Sequence, residues 1–466
     1  MNDSTKSISE VLAEFAITLR YEDIPEAVIH RAKLHILDAF GIALASTKQT
    51  YSKKTLSGIL DIGGEGDYPI IGSNVGLPYR ESALMNGFLI HSLDFDDTHV
   101  AGVIHSTASA LPSVLSAAKR HSVDGKKALS AYIAAIECSS RIGMAAKGGF
   151  HKKGFHPTGL IGAFGSTIAA GCLASLSVKE LVQAQGTVYS MASGNLEFLK
   201  EGAWTKRMHP GWAAVCGLTA VSMCKHGFEG VLSPYEGRYG VYNTCSSEDI
   251  EVDIGIVTKG LGKEWEMLSV GVKPYPACHL THSCIDATRK LFNEHSLSSE
   301  DVKKVVARVA EDSLPVVGEP LSAKRRPGSG YEAQFSLPYL VASAIVRDRF
   351  TLADLEKSSY TEPQVISVCD KVFCEPMEGS LYPKYFSGEI EVTTKNNEVF
   401  IQREEINRGA DVTPLEPKEI ISKFKENASL VLSKGNYESA INAVLNIDDV
   451  CKFSTITDYF KCEGHL

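Results

Sequence analysis

Apolar residues recur at helical spacing through most of the first 270 residues. Ser7-Ile8-Ser9-Glu10 matches a capping box, and the apolar residues that follow it share one helical face. Pro25 marks the start of a second amphipathic helix. Because alternating strands are nearly absent, this part of the chain is predicted to be all α-helical. Further helices are predicted over residues 81–92, 107–121, 126–142, 160–174, 178–193 and 212–226.

Strand patterns begin after about residue 271. Residues 302–310 alternate valine with charged side chains, as in a half-buried strand. Residues 389–394 and 398–403 flank Lys395-Asn396-Asn397, and asparagine tolerates the positive φ of a hairpin turn. Helices are predicted over residues 280–293 and 335–347 in the same region.

The helical pattern returns from Glu416 onwards. The sequence therefore predicts a mainly α protein with two domains. A large all-α helical domain comprises residues 1–270 and 409–466, so the chain returns to it at the C-terminus. A smaller α+β domain comprises residues 271–408.

Composition narrows the class of protein. The chain has 466 residues, of which 44% are hydrophobic and 22% charged, as in a globular protein. Its net charge of −9 disfavours a general nucleic-acid binder, which needs a basic surface. Eleven cysteines without a CxxC pair indicate a reducing compartment. The uncharged stretch 154–178 is rich in Gly, Ala, Ser and Thr, which favours a buried helix over a membrane span. We expect a cytoplasmic protein without a targeting signal.

One polar segment concentrates candidate chemistry. Residues 91–99 and the following His105-Ser106-Thr107 contain three carboxylates and three imidazoles. One interpretation is a helix end whose acids are solvated. A second is a divalent-metal site, because Asp-x-Asp-Asp can ligate Mg²⁺. A third is acid/base chemistry, in which a carboxylate fixes the tautomer of a histidine.

Three further segments combine histidine with basic residues. They are Gly154-Phe155-His156-Pro157-Thr158-Gly159, residues 204–211 and Lys273-Pro274-Tyr275-Pro276-Ala277-Cys278-His279. Taken singly, each is typical of a helix cap or a solvated surface. Together, in an acidic protein, they predict a pocket for a small polycarboxylate.

These segments, in this order, resemble the MmgE/PrpD family, which includes 2-methylcitrate dehydratase and cis-aconitate decarboxylase. The resemblance covers nearly the whole chain and includes Tyr331-Glu332-Ala333-Gln334-Phe335, similar to a segment of the family's lid domain. It implies that the α+β domain is a lid, that the protein is a homodimer, and that the active site uses no metal and no organic cofactor. It places the family's active-site positions on Asp94, Thr98, His105, His156, Lys206, Lys273 and His279.

Two departures from the family pattern concern the reaction. His105 is followed by Ser106, where many relatives have His-Pro, and His-Ser is closer to some decarboxylase-like members. The segment before Arg326-Pro327-Gly328 has no Tyr matching one that the decarboxylases use.

The resemblance suggests a role for each position. Lys206 and Lys273 would bind substrate carboxylates and stabilise an enediolate-like carbanion, and Thr98 would hydrogen-bond the substrate. The other positions would transfer protons or orient the groups that do so. His105 or His156 would move the proton on carbon, Asp94 would orient one imidazole, and His279 would protonate a leaving hydroxyl.

The sequence thus predicts a cofactor-independent lyase that dehydrates a citrate-like or 2-methylcitrate-like hydroxy acid. Decarboxylation of a cis-aconitate-type acid and epimerisation of a dicarboxylate such as iminodisuccinate are the alternatives. The non-enzymatic alternative is an inactive relative that only binds polycarboxylates.

Overall fold

The computed structural model describes residues 6–462, which form two compact units. The first unit extends through Gly271 and resumes at Glu416, and the second is Val272–Leu415. The protein is mainly α-helical, as predicted.

The first unit consists almost entirely of helices. Its longer helices are Ile8–Thr18, Glu26–Ser46, Thr50–Gly63, Tyr79–His91, Ser106–His121, Gly125–Ala145, Gly162–Leu173, Val178–Tyr189, Thr205–Lys225, Pro417–Ala428 and Lys434–Leu445. Its shorter helices are Gly149–Lys152, Pro157–Leu160, Phe198–Glu201, Val241–Cys245 and Gly255–Thr258. Two short antiparallel strand pairs join Tyr68–Pro69 to Gly76–Leu77 and Thr98–His99 to Val270–Gly271.

Local sequence signals account for most of these helix boundaries. Ser7 and Glu10 form the predicted capping box, and Pro25 directly precedes the Glu26–Ser46 helix. The helix Thr50–Gly63 was not predicted. The predicted start of the 212–226 helix was wrong, because the helix begins at Thr205 and includes Pro210 and Gly211.

A close helix crossing explains why glycine occupies position 211. A Cβ on Gly211 would lie 2.2 Å from the backbone oxygen of Leu84, and one on Gly87 would lie 2.5 Å from the Cα of Gly211. The Tyr79–His91 and Thr205–Lys225 helices therefore approach backbone to backbone. This contact brings the C-terminal end of the first helix beside the first turns of the second.

The uncharged stretch 154–178 is buried over residues 156–171, as expected, but forms two helices rather than one. Pro157–Leu160 is followed by Gly162–Leu173, with Ile161 between them. Among residues 6–462 we find no helix long and apolar enough to cross a bilayer.

The second unit has α+β composition, built around a four-stranded sheet. The strand order is Val372–Pro376, Val302–Val309, Gly388–Thr394 and Val399–Glu404; the first pair is parallel and the others are antiparallel. Asn397 has a φ of 64°, as the hairpin turn requires. The helices His282–Glu294 and Leu337–Arg347 pack together within this unit. Its shorter helices are Leu314–Val317, Leu321–Lys324, Gly330–Gln334, Lys357–Tyr360 and Pro363–Cys369.

Candidate active site

Five of the seven predicted site residues lie in the first unit, at helix ends and on one loop. Asp94 and Thr98 lie on the loop that follows the Tyr79–His91 helix. His105 is the N-cap residue of Ser106–His121, and His156 is the N-cap residue of Pro157–Leu160. Lys206 lies in the first turn of Thr205–Lys225.

Three imidazoles form the centre of this group. The ring centroids of His91 and His105 are 4.7 Å apart, those of His91 and His156 are 5.6 Å apart, and those of His105 and His156 are 6.3 Å apart. His105 and His156 were predicted site residues. His91 belongs to the polar segment 91–99 but is not among the positions that the family resemblance identifies.

Hydrogen bonds at Nδ1 set the tautomers of two of these rings. His91 Nδ1 donates to Asp96 Oδ2 over 2.8 Å, and His105 Nδ1 donates to the backbone oxygen of Asp97 over 2.8 Å. Because a carbonyl oxygen and an ionised carboxylate only accept, each ring holds its proton on Nδ1. In the neutral form, Nε2 then has the lone pair that can take a proton. Thr98 Oγ1 also lies 3.3 Å from His105 Nδ1.

His156 pairs with a histidine that was not predicted as a site residue. Its Nδ1 lies 2.9 Å from Nδ1 of His209, one turn beyond Lys206 on the Thr205–Lys225 helix. Burial lowers the pKa of His156 well below its usual value, and the nearby charges of His91 and Lys206 lower it further. Burial and the same two residues lower the pKa of His209 to about 4. Both rings are therefore neutral near pH 7, and one of the two Nδ1 atoms donates to the other.

Lys206 forms an ion pair with Asp94 at the partly exposed side of the group. Lys206 Nζ and Asp94 Oδ2 are 2.9 Å apart, and their side chains are 20% and 23% exposed. Asp94 has a left-handed backbone with a φ of 51°. We had assigned the orientation of an imidazole to Asp94; in the structure, Asp96 accepts the His91 hydrogen bond and Asp94 pairs with Lys206.

The three carboxylates of the loop have separate partners. Asp94 pairs with Lys206 and Asp96 with His91, whereas Asp97 accepts from Thr107 and lies 3.2 Å from His35 Nδ1. Burial works to raise the pKa of Asp97, but the hydrogen bonds from His35 and Thr107 outweigh it and leave the pKa lowered. The magnesium interpretation requires these carboxylates to converge on one ion, which this arrangement does not favour.

Two buried or half-buried cations hold the loop from outside the group. Lys423, from the C-terminal part of the chain, donates to the backbone oxygen of Phe95 over 2.8 Å and pairs with Asp38. Arg207 donates to the backbone oxygen of Ser92 over 2.9 Å and lies over the ring of Tyr51. Arg207 therefore supports the helix end, and Lys206 pairs with Asp94 of the loop.

The other two predicted residues lie in the second unit. Lys273 is buried there, with 4% of its surface exposed. Nδ2 of Asn407 lies 3.0 Å from His279 Nε2, and Oδ1 of Asn407 accepts from the backbone N–H of Phe386. This orientation of the Asn407 amide makes His279 Nε2 an acceptor, so the neutral His279 ring has its proton on Nδ1.

Comparisons with known proteins give matches over nearly the whole chain. A family model described as the MmgE/PrpD N-terminal domain matches residues 10–253, and one described as the MmgE/PrpD C-terminal domain matches residues 275–449. A cis-aconitate decarboxylase of Homo sapiens is 28% identical, covering 98% of this chain and 95% of its own length. The cis-aconitate decarboxylase of Mus musculus is 27% identical, and the match covers 98% of this chain and 94% of that protein. A cis-aconitate decarboxylase from Aspergillus terreus is 24% identical, and the match covers 99% of this chain and 97% of that protein.

Proposed function

The chain belongs to the MmgE/PrpD family, and from that premise we propose that it is a lyase acting on a small polycarboxylate without an organic cofactor. The observation that supports this proposal most directly is a cation beside imidazoles whose Nδ1 atoms are hydrogen-bonded. Lys206 would bind a carboxylate of the substrate, and His105 and His156 would supply nitrogens for proton transfer.

The reaction we propose first is decarboxylation of an unsaturated tricarboxylate of the cis-aconitate type. It is supported by the names of the relatives, which align over nearly their whole length. One carbon–carbon bond breaks and releases CO₂, and its electron pair forms the new double bond. The old double bond takes one proton at carbon, so the trianionic substrate and a proton give a dianionic product and CO₂. Lys206 binds one of the retained carboxylates.

We assign carbon protonation in that reaction to His156. His209 can donate to His156 Nδ1, and His156 then holds its own proton on Nε2, from which it can be delivered to carbon. The imidazolate that remains takes a proton from water, which restores the neutral ring. Lys273 and His279 of the second unit keep their predicted roles in carboxylate binding and proton donation.

Dehydration of a citrate-like hydroxy acid is the second candidate, and the tautomer of His105 favours it. With Nδ1 donating to Asp97, the Nε2 lone pair of His105 is suited to remove a proton from carbon. His279, with its proton on Nδ1, would then protonate the leaving hydroxyl.

Proton NMR in D₂O separates these reactions. The purified protein is added to cis-aconitate, citrate, 2-methylcitrate and a set of chiral dicarboxylates. Decarboxylation of cis-aconitate gives new methylene signals with one deuterium at the saturated carbon. Dehydration gives a new vinylic signal from the hydroxy acids, and epimerisation gives deuterium uptake with a changed stereoisomer. A folded protein that leaves every spectrum unchanged would contradict both candidate reactions.

Variants of the two histidines test the assignment within whichever reaction is found. Replacing His105 or His156 with Asn should lower kcat by about 10²–10⁴-fold, the usual contribution of general acid–base catalysis. His226→Gln is the matched control, because His226 is exposed and bonds only within its own helix turn, to the backbone oxygen of Ser222. Near-normal turnover in both site variants would refute the assignment.

We also propose that the protein is a homodimer. Trp204, Met208 and Trp212 are spaced four residues apart, so they share one side of the Thr205–Lys225 helix and its N-cap, and all three are exposed. Light scattering should give twice the 50.4 kDa mass of one chain. A monomer at micromolar concentration would contradict this proposal.

A further inference from the structure

The imidazoles of His91, His105 and His156 also have the arrangement of a metal-binding group. One ring nitrogen from each residue lies within 4.8 Å of one ring nitrogen from each of the other two. Within residues 6–462, this is the one such grouping of three or more His, Cys, Asp or Glu side chains. Three imidazoles with a fourth, open position are a common donor set for zinc.

The hydrogen bonds around the three rings strengthen this interpretation. Metal-binding imidazoles usually coordinate through one nitrogen while the other is held by a carboxylate, a backbone carbonyl or another acceptor. Here Nδ1 of His91 bonds to Asp96, Nδ1 of His105 bonds to the backbone oxygen of Asp97, and Nδ1 of His156 bonds to His209. In His91 and His105 the proton is on Nδ1, so the lone pair of Nε2 would coordinate the metal. The lone pair of His156 Nε2 would do so when His156 Nδ1 donates to His209.

We propose that His91, His105 and His156 bind a divalent transition metal of the zinc class, and that the bound metal inhibits the enzyme. Imidazole donors favour Zn²⁺, Co²⁺, Ni²⁺ and Cu²⁺ over Mg²⁺ and Ca²⁺. Zinc–nitrogen bonds are about 2.0–2.1 Å long, so the three rings close towards the ion when it binds. His105, whose side chain is 13% exposed, is the most accessible of the three.

Inhibition follows because the metal takes the electron pairs that proton transfer requires. Coordination of His105 and His156 removes the base and the donor assigned above, and the fourth position is left to water or a carboxylate. The inhibitory part of the inference therefore rests on the proposed function. The binding part rests only on the geometry of the three rings.

Cobalt titration of the metal-free wild-type protein tests binding without any need for turnover. Nitrogen-coordinated Co²⁺ in a four- or five-coordinate site absorbs in the visible range, whereas Co²⁺ bound to cysteine adds a thiolate charge-transfer band in the near ultraviolet. We expect one equivalent to bind with the visible bands alone. His91→Gln should weaken the binding by at least about tenfold, because a loss in or next to the coordination sphere typically costs about 10–100-fold in affinity. His226→Gln should leave the titration unchanged.

Three results would overturn the site: no visible bands, a spectrum dominated by the thiolate band, or the same affinity in wild type and His91→Gln. Since His91→Gln removes a buried side chain, X-ray absorption of the Co²⁺-loaded wild type provides a second measurement. It should show three imidazole ligands, and fewer than two would also overturn the site.

Activity then tests inhibition separately. With the acid identified by NMR, Zn²⁺ should lower kcat and EDTA should restore the rate. Activation by Zn²⁺, or full activity at saturating Zn²⁺, would overturn the inhibitory role. Absence of turnover without metal on every candidate acid would contradict the proposed function, and the cobalt spectrum would still decide whether the site exists.

Discussion

His156 and His209 share one hydrogen bond between Nδ1 atoms that lie 2.9 Å apart. Only one of the two rings holds the proton in that bond, so the tautomer of His209 determines the tautomer of His156. When His209 donates, His156 holds a proton on Nε2, and when His156 donates, its Nε2 has the lone pair. In the proposed reaction, His209 would therefore be a positioning residue for proton transfer.

Replacing His209 tests this relationship directly. His209→Leu removes the partner of His156 Nδ1, and we expect kcat to fall by about 10²-fold or more with little change in KM. His209→Asn keeps a polar group and should recover part of the loss. Steady-state kinetics on the acid identified by NMR would measure both constants. Equal kcat values in wild type and His209→Leu would mean that His209 has only a packing role.

The charge of Lys206 should affect substrate binding more than proton transfer. Lys206→Met removes a charge-assisted hydrogen bond of about 1.5–3 kcal/mol, which corresponds to roughly a 10- to 150-fold loss in kcat/KM. The loss should be mainly in KM, because the histidines are unchanged. Lys153→Met is the matched control, since Lys153 is an exposed lysine 3.9 Å from Glu248. If the two variants have similar KM values, Lys206 does not bind the substrate.

Sequence patterns predicted individual helices well because their signals are local. Ser7 and Glu10 lie three residues apart, and the apolar periodicity of each helix spans fewer than thirty residues. His156 and His209 are 53 positions apart in the sequence and belong to different helices, so no local pattern predicts that they pair. Lys423 was equally hidden, because a lysine on an amphipathic helix is usually solvated.

The buried pair of Lys423 and Asp38 should contribute strongly to stability. Lys423 Nζ lies 2.8 Å from Asp38 Oδ1 and donates to the Phe95 backbone, and both side chains are almost fully buried. Lys423→Met leaves the Asp38 carboxylate buried without its cation, and breaking such a pair typically costs about 3–5 kcal/mol. Urea denaturation of the variant would measure this cost.

A double variant separates the pair from simple loss of packing. Asp38→Leu combined with Lys423→Met removes both charges, and an apolar replacement of a buried ion pair is often neutral or stabilising. The double variant should therefore be more stable than Lys423→Met alone. If its stability is as low as that of the single variant, the cost arises from packing and not from an unpaired charge.

Ionisation of Asp448 should make the free energy of unfolding depend on pH in acidic solution. Its burial works to raise the pKa, but hydrogen bonds from Lys33 and Tyr21 outweigh burial, and the pKa is lowered from 3.8. The folded protein therefore binds this proton less readily than the unfolded chain. The contribution to stability is present above about pH 4 and is lost as the pH falls through the folded-state pKa.

Comparison of Asp448→Asn with wild type isolates this group. Lys33 Nζ lies 2.6 Å from Asp448 Oδ1, and loss of hydrogen bonds to a charged group should cost about 1.5–3 kcal/mol near pH 7. Urea denaturation at several pH values should show the wild-type advantage shrinking below about pH 4. An advantage that stays constant or grows in acid would contradict the prediction.

The loop after the Tyr79–His91 helix shows why sequence alone does not assign the carboxylate roles. Asp94 and Asp96 lie two positions apart, and the motif alone does not tell which of them faces a histidine. The left-handed backbone at Asp94 turns the loop there, so the two side chains follow neither helical nor strand periodicity. As a result Asp94 reaches Lys206, whereas Asp96 reaches His91 and lies 3.6 Å from His105 Nδ1.

These separate contacts predict different kinetic effects for two similar substitutions. Asp96→Asn should lower kcat, because the amide can donate to His91 Nδ1 and so favour the opposite tautomer of that ring, next to His105. Asp94→Asn keeps the hydrogen bond between Asp96 and His91 and removes the anion that pairs with Lys206, so KM should fall or stay constant while kcat changes less. Steady-state kinetics of the two variants, with circular dichroism to confirm folding, would compare them. If Asp94→Asn instead lowers kcat more than Asp96→Asn does, the original assignment of Asp94 as the orienting carboxylate is correct.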